Sequence, residues 1–255
     1  LEPHFSHIPK TYDFFERNEN GGVKFSFVNL LAYYRPLVII DEAHNHSSEL
    51  SIEVLQRIRP SAIVEFTATP ARNSNVLYRV TASELKAEEM IKLPVVLTEH
   101  SSWEDTITYA IQNRQRLDIL ARNEEQYIRP IILFQAENKD KEITVDKIRN
   151  YLIEQENIPP EEIAVATGEQ RELDGVNLFD PACPVKYVIT VQALKEGWDC
   201  SFAYILCSMA RVQSSKDAEQ LLGRVLRMPY AKRRKEPDLN RAYAHVAITS
   251  WTEAV

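Results

Sequence analysis

Leu37-Val38-Ile39-Ile40-Asp41-Glu42-Ala43-His44 is a run of four aliphatic residues that ends directly on two carboxylates. An unbroken aliphatic run of this length suits a strand covered on both faces, because a half-exposed strand would alternate apolar and polar positions. Runs of the same form recur at 62–66, 131–134, 187–191, 203–207 and 244–248. Helices are expected between them. The stretch 103–122 follows Ser101-Ser102 and carries Glu104 and Asp105 in its first turn, which suits the positive end of a helix, and 145–156 and 218–228 are two further candidates. Strands alternating with helices predict an α/β protein with mainly parallel sheets. The piece Val95-Val96-Leu97, between Pro94 and Ser101-Ser102, reads as linker or edge strand. The division of the chain is expected there, with residues 1–95 in one α/β domain and 96–255 in a second.

Bulk composition sets the class. The 255 residues are 44% hydrophobic and 26% charged, the balance of a folded globular protein rather than a disordered one. Neither an apolar run of the roughly 20 residues a membrane span needs nor a leader pattern is seen. Cys183, Cys200 and Cys207 are odd in number and lack metal-ligand spacing, which points to a reduced, cytoplasmic setting. A net charge of −7 argues mildly against a dedicated nucleic-acid binder, but Lys232-Arg233-Arg234-Lys235 is a local basic run, and a basic groove can exist in an acidic protein.

Four constellations carry candidate chemistry. In open parallel sheets ligands sit beyond the carboxyl ends of strands, where Asp41 and Glu42 are expected. Two carboxylates after four buried aliphatics are costly unless they hold a cation or move a proton. Asp41 offers the oxygen ligand that a nucleotide's Mg²⁺ prefers, and Glu42 is suited to orient or deprotonate an attacking water. A solvated helix start that favours acidic residues is an equally good account of the bare pair. Second, Glu65-Phe66-Thr67-Ala68-Thr69-Pro70 ends another apolar run, and its hydroxyls can bond the acidic loop, although Thr and Pro after a strand are ordinary turn chemistry. Third, Gln220, Arg224 and Arg227 fall at i, i+4 and i+7, so a helix over 218–228 would set them on one face, with Pro229 stopping it. Two guanidiniums and an amide make an anion-binding face, whereas an isolated helix of this kind is more often a solvated basic stripe. Fourth, Gly197 and Asp199 in Glu196-Gly197-Trp198-Asp199 follow the apolar run 187–191, where a glycine lets backbone approach a ribose or phosphate. A zinc hydrolase built on Asp41, His44 and His46 is the least favoured reading, since that spacing matches no zinc helix.

In order, Asp41-Glu42-Ala43-His44, Thr67-Ala68-Thr69-Pro70, the strand 131–135, Glu196-Gly197-Trp198-Asp199 and Gln220-x-x-Gly223-Arg224-x-x-Arg227 resemble motifs II to VI of the superfamily 2 helicases. More narrowly, 36–45, 65–70, Ser74-Asn75-Val76-Leu77-Tyr78, 87–99 and 195–199 resemble the ATPase (Res) subunit of type III restriction enzymes. The resemblance implies two RecA-like domains, the first incomplete, hydrolysing ATP in the cleft between them to drive translocation or unwinding of DNA. It implies that Asp41 holds Mg²⁺ through water, that Glu42 is the catalytic base, and that His44 links the site to the second domain. Thr67 and Thr69 would couple hydrolysis to strand movement. Gln220 and Arg224 would face the γ-phosphate, Arg227 would be an arginine finger, and Gly197 and Asp199 would lie near the ribose or the domain interface. A modification (methyltransferase) subunit is the implied protein partner.

The chain departs from that family in one respect. It has no G-x-x-x-x-G-K-[ST] phosphate loop, since Gly21-Gly22-Val23-Lys24 lacks both the spacing and the hydroxyl. The sequence therefore predicts a fragment of a larger polypeptide. The alternative is a catalytically inert module that binds DNA or a partner subunit.

Overall fold

In the computed structural model the described residues are 19, 27–43, 48–68, 70–71, 74–191, 199–209 and 222–247. The chain forms two compact units, Leu1–Arg79 and Val80–Val255.

In the first unit, helix α1 (Phe27–Tyr34) leads into strand β1 (Leu37–Ile40), followed by helix α2 (Glu49–Ile58) and strand β2 (Ala62–Glu65). β1 and β2 pair in parallel with Ile40 opposite Glu65. The right-handed turn out of α2 is closed by Arg59 in the left-handed region, whose N–H donates to Leu55 O. The aliphatic runs were expected to be covered on both faces. They are not: Leu37 and Ile39 are 56% and 64% exposed, and β2 is exposed throughout. Among the described residues these strands pair only with each other, and a two-stranded sheet has no neighbouring strands to bury it.

The second unit fulfils the expectation. Helix α3 (Ala82–Ala87) opens with a complete capping box, in which Thr81 and Glu84 each accept from the other's backbone N–H. Then come β3 (Val95–His100), α4 (Trp103–Ala121), β4 (Ile131–Gln135), α5 (Val145–Glu154), β5 (Ile163–Val165), β6 (Tyr187–Thr190), β7 (Ala203–Ser208) and β8 (Ala242–Ala247). The six strands make one parallel sheet in the order β3-β8-β7-β4-β6-β5. β4, β6, β7 and β8 are buried along their whole length, which is why their sequences are mostly apolar rather than alternating apolar and polar. Ile107, Ala110, Ile111, Leu117 and Ala121 line the face of α4 that joins this core. Cys200 and Cys207 are buried free thiols, and burial pushes Cys200 up to about 11 and Cys207 well above its ordinary value. The expected α/β class with parallel sheets is thus what the structure has.

The division between units lies earlier than the expected 95/96. Val95–His100 is the edge strand of the six-stranded sheet, paired with β8 along its full length, and α3 and the segment 90–92 belong to the same unit. The turn chemistry around Pro94 marks the entry to a strand rather than a break between units.

Candidate functional site

The acidic pair sits at the carboxyl end of β1. Ala43 N–H donates to Phe66 O at 3.1 Å and Phe66 N–H to Ile40 O at 2.8 Å, so parallel pairing continues past both strand ends and sets Asp41-Glu42 beside Phe66-Thr67. Asp41 Oδ1 accepts from Glu42 N–H at 3.0 Å. Glu42 has φ of 51°, a left-handed conformation that a non-glycine residue adopts at a cost, and such residues gather at working sites. Both carboxylates are exposed and Thr67 is half-buried. His44 and Thr69, the other two residues of this group with expected roles, lie outside the described residues, as does His46. Asp41 therefore offers an exposed oxygen ligand of the type hydrated Mg²⁺ takes. Among the described residues no group of three or more His, Cys, Asp or Glu side chains is placed to hold a metal ion directly.

The second group lies in the second unit. Gln220 and Gly197 are outside the described residues. Asp199 and Arg227 are brought together as an ion pair through Arg227 Nη1 and Asp199 Oδ2, both largely exposed. This pairing joins two motifs that the sequence treats separately. The expected single helix over 218–228 is corrected at its end. Residues 222–226 are helical, but Arg227 forms an antiparallel bridge with Ile91 and Met228 is extended at φ −73° and ψ 130°. Lys92 N–H donates to Leu226 O at 2.6 Å and Met228 N–H to Met90 O at 2.9 Å, so strand-like pairing with 90–92 takes over before Pro229 can end the helix. Arg227 therefore does not continue the helical face of Arg224, whose side chain is half-buried.

Lys92 is a participant the sequence reading missed. Its side chain is fully buried, and Nζ donates to Ser201 O at 2.9 Å and Ala203 O at 2.6 Å while lying 3.9 Å from the centre of the Tyr204 ring. Burial pushes its ammonium down to about 7, with the nearby Cys200 acting in the opposite direction. The available signal was a lone charge inside the apolar stretch Met90-Ile91-Lys92-Leu93.

A second unanticipated group joins the ends of β3 and β8. Arg116 Nη2 donates to Asn113 Oδ1 at 3.1 Å, which turns the Asn113 amide nitrogen toward His245 Nε2 at 3.1 Å. His245 thus accepts at Nε2 and carries its proton on Nδ1, which faces His100 Nε2 at 2.9 Å. Burial, reinforced by His100, lowers His245 to about 4, and burial also lowers His100 against the opposing pull of Asp105. Both rings stack, and Tyr109 stacks on His100 from α4.

An α/β architecture with an acidic pair at the end of a parallel strand is the class these features define. Residues 4–72 match the family described as type III restriction enzyme, res subunit, a stretch that includes both Asp41-Glu42 and Thr67. Among solved structures the chain is similar to the ATP-dependent Type ISP restriction-modification enzyme LlaBIII bound to DNA, with 15% identity and a TM-score of 0.48. That similarity covers 85% of this chain and 18% of the enzyme, so the chain spans about a fifth of that enzyme's length. No curated protein sequence matches. No helix among the described residues is long and apolar enough to cross a membrane.

Proposed function

We propose that the chain is part of the ATP-dependent DNA translocase or helicase core of a type III-like restriction enzyme subunit. The observation that carries this reading is the res-family match over 4–72, whose acidic pair lies at a strand end beside Thr67. Asp41 would hold Mg²⁺ through water, and the bound MgATP would supply the phosphoanhydride that is broken. Glu42 takes the proton of the attacking water, and His44 relays the state of the site. Thr67 and Thr69 couple hydrolysis to movement along DNA. In the second unit Gln220 and Arg224 act on the γ-phosphate. Arg227 would stabilise the charge that develops as the γ-phosphoryl passes to water and ADP leaves, Asp199 would orient it, and Gly197 would lie at the ribose. DNA and a modification subunit are the partners, in the cytoplasm.

Glu42→Gln is the direct test in the intact protein. It keeps the shape of the side chain and removes its basicity, so ATP hydrolysis should fall at least about a hundredfold while ATP affinity stays within about threefold. Near-normal turnover would reject the assignment. The second reading, a DNA- or subunit-binding module without hydrolysis, is favoured by the lack of a G-x-x-x-x-G-K-[ST] sequence in these 255 residues. Mg²⁺-dependent ATP binding by the purified chain would exclude that reading.

A further inference from the structure

Lys92 bonds the backbone near both members of the Asp199–Arg227 pair. Its ammonium bonds the carbonyls of Ser201 and Ala203, two and four residues after Asp199, and its backbone N–H bonds the carbonyl of Leu226, directly before Arg227. The adjoining Ile91 bridges Arg227 itself, and Met90 O accepts from Met228 N–H. Further along, Arg233 N–H donates to Glu89 Oε2 at 2.8 Å, so the segment 89–92 is stitched to 226–233 at successive points. A buried ammonium is a costly way to hold two loops together when a methionine would fill the same space. Here its partners are two carbonyls and the Tyr204 ring rather than a carboxylate. Carbonyls fix where the backbone runs, whereas a carboxylate would fix only another side chain.

We propose that Lys92 is a positioning residue for Arg227: its side chain fixes the Asp199 arm and its backbone fixes the Arg227 arm, so that the guanidinium is held in one place before phosphate arrives. The inference rests on the reading of Arg227 as a phosphate-directed residue. It adds a source of pre-organisation outside the recognised motifs. Because Lys92 touches neither reacting atom, it acts only through Arg227.

The test uses the intact protein in four forms: unaltered, Lys92→Met, Arg227→Ala and the double variant. Lys92→Met keeps the aliphatic stem and removes the ammonium. It should lower kcat for ATP about tenfold with KM within about twofold, and in the Arg227→Ala background it should cost less than about twofold more. An undiminished kcat, or equal proportional losses in both backgrounds, would overturn the proposal. A second readout needs no turnover. In arginine-labelled protein, the Arg227 guanidinium resonance, identified by its loss in Arg227→Lys, should shift or broaden in Lys92→Met. The resonance of Arg114, whose Nε donates to Pro130 O on another element, should stay in place. An unmoved Arg227 resonance also overturns the proposal. If Lys92→Met does not fold, Lys92→Gln, which keeps a donor, is measured on both readouts with the same criteria. Should Arg227→Ala leave turnover unchanged, the functional reading fails, and the resonance alone decides whether Lys92 positions Arg227.

Discussion

His245 is a buried imidazole whose neutral state is enforced from two sides, by the Asn113 amide at Nε2 and by His100 across Nδ1. The sign of its pH effect follows. Its ordinary value of 6.5 applies in the unfolded chain, and its folded value is about 4. As pH falls below 6.5 the unfolded chain takes up a proton that the folded chain refuses, so stability drops through the window down to about 4 and is fully present above 6.5. The loss should approach at most about 3 kcal/mol. Denaturant titrations at pH 7.5 and 4.5 measure it. His245→Gln should flatten the difference, and an equally steep decline in that variant would assign the acid sensitivity to other groups. Neither histidine was legible as a partner in the sequence, because the two are joined by parallel pairing of β3 and β8 across most of the second unit. The same holds for Lys92. Charge within an apolar stretch was visible, but the carbonyls that receive it belong to residues 201 and 203.

Elements were read better than contacts. The strand run 131–134 and the helix 103–122 were visible because burial on two faces leaves unbroken aliphatics and because Ser102 with Glu104 and Asp105 marks a helix start. Ser102 does accept from Asp105 N–H as the cap of α4. The helix α4 gives a contrast within one element. Leu117 is fully buried and Ile119, two residues on, is 62% exposed. Leu117→Ala should cost about 2–5 kcal/mol by leaving a cavity, and Ile119→Ala under about 0.5 kcal/mol. Thermal or denaturant unfolding of the two variants gives the comparison, and similar costs would mean that the helix face is assigned wrongly. β5 was missed because three residues carry too little pattern. The end of the Arg224 helix was misplaced because the segment 90–92, distant in sequence, captures the backbone before the local stop signal acts.

At the scale of the molecule, the six-stranded sheet, its covering helices and the Asp199–Arg227 pair all fall within Val80–Val255. That unit is expected to fold by itself. Expressed from residue 80, it should unfold cooperatively in urea at a midpoint within about 0.3 M of that of the second transition in the whole chain, since every residue of its hydrophobic core cluster lies within it. A broad, non-cooperative transition would show that the first unit completes its core. The class of fold was legible from repetition, six aliphatic runs spaced by helices, whereas the partition into units was not. A proline-bounded stretch such as 93–102 looks alike in sequence whether it enters an edge strand or leaves a domain.

The buried thiols of β7 and its approach give the second unit an internal clock. Cys200 and Cys207 are shut away and poorly ionised, while Cys183 is partly accessible. An alkylating reagent therefore reaches Cys183 from the folded protein but meets the other two when the sheet opens. The mass of the adduct, one label or three, counts how many molecules have opened in a given time, with no dye, tag or engineered residue introduced.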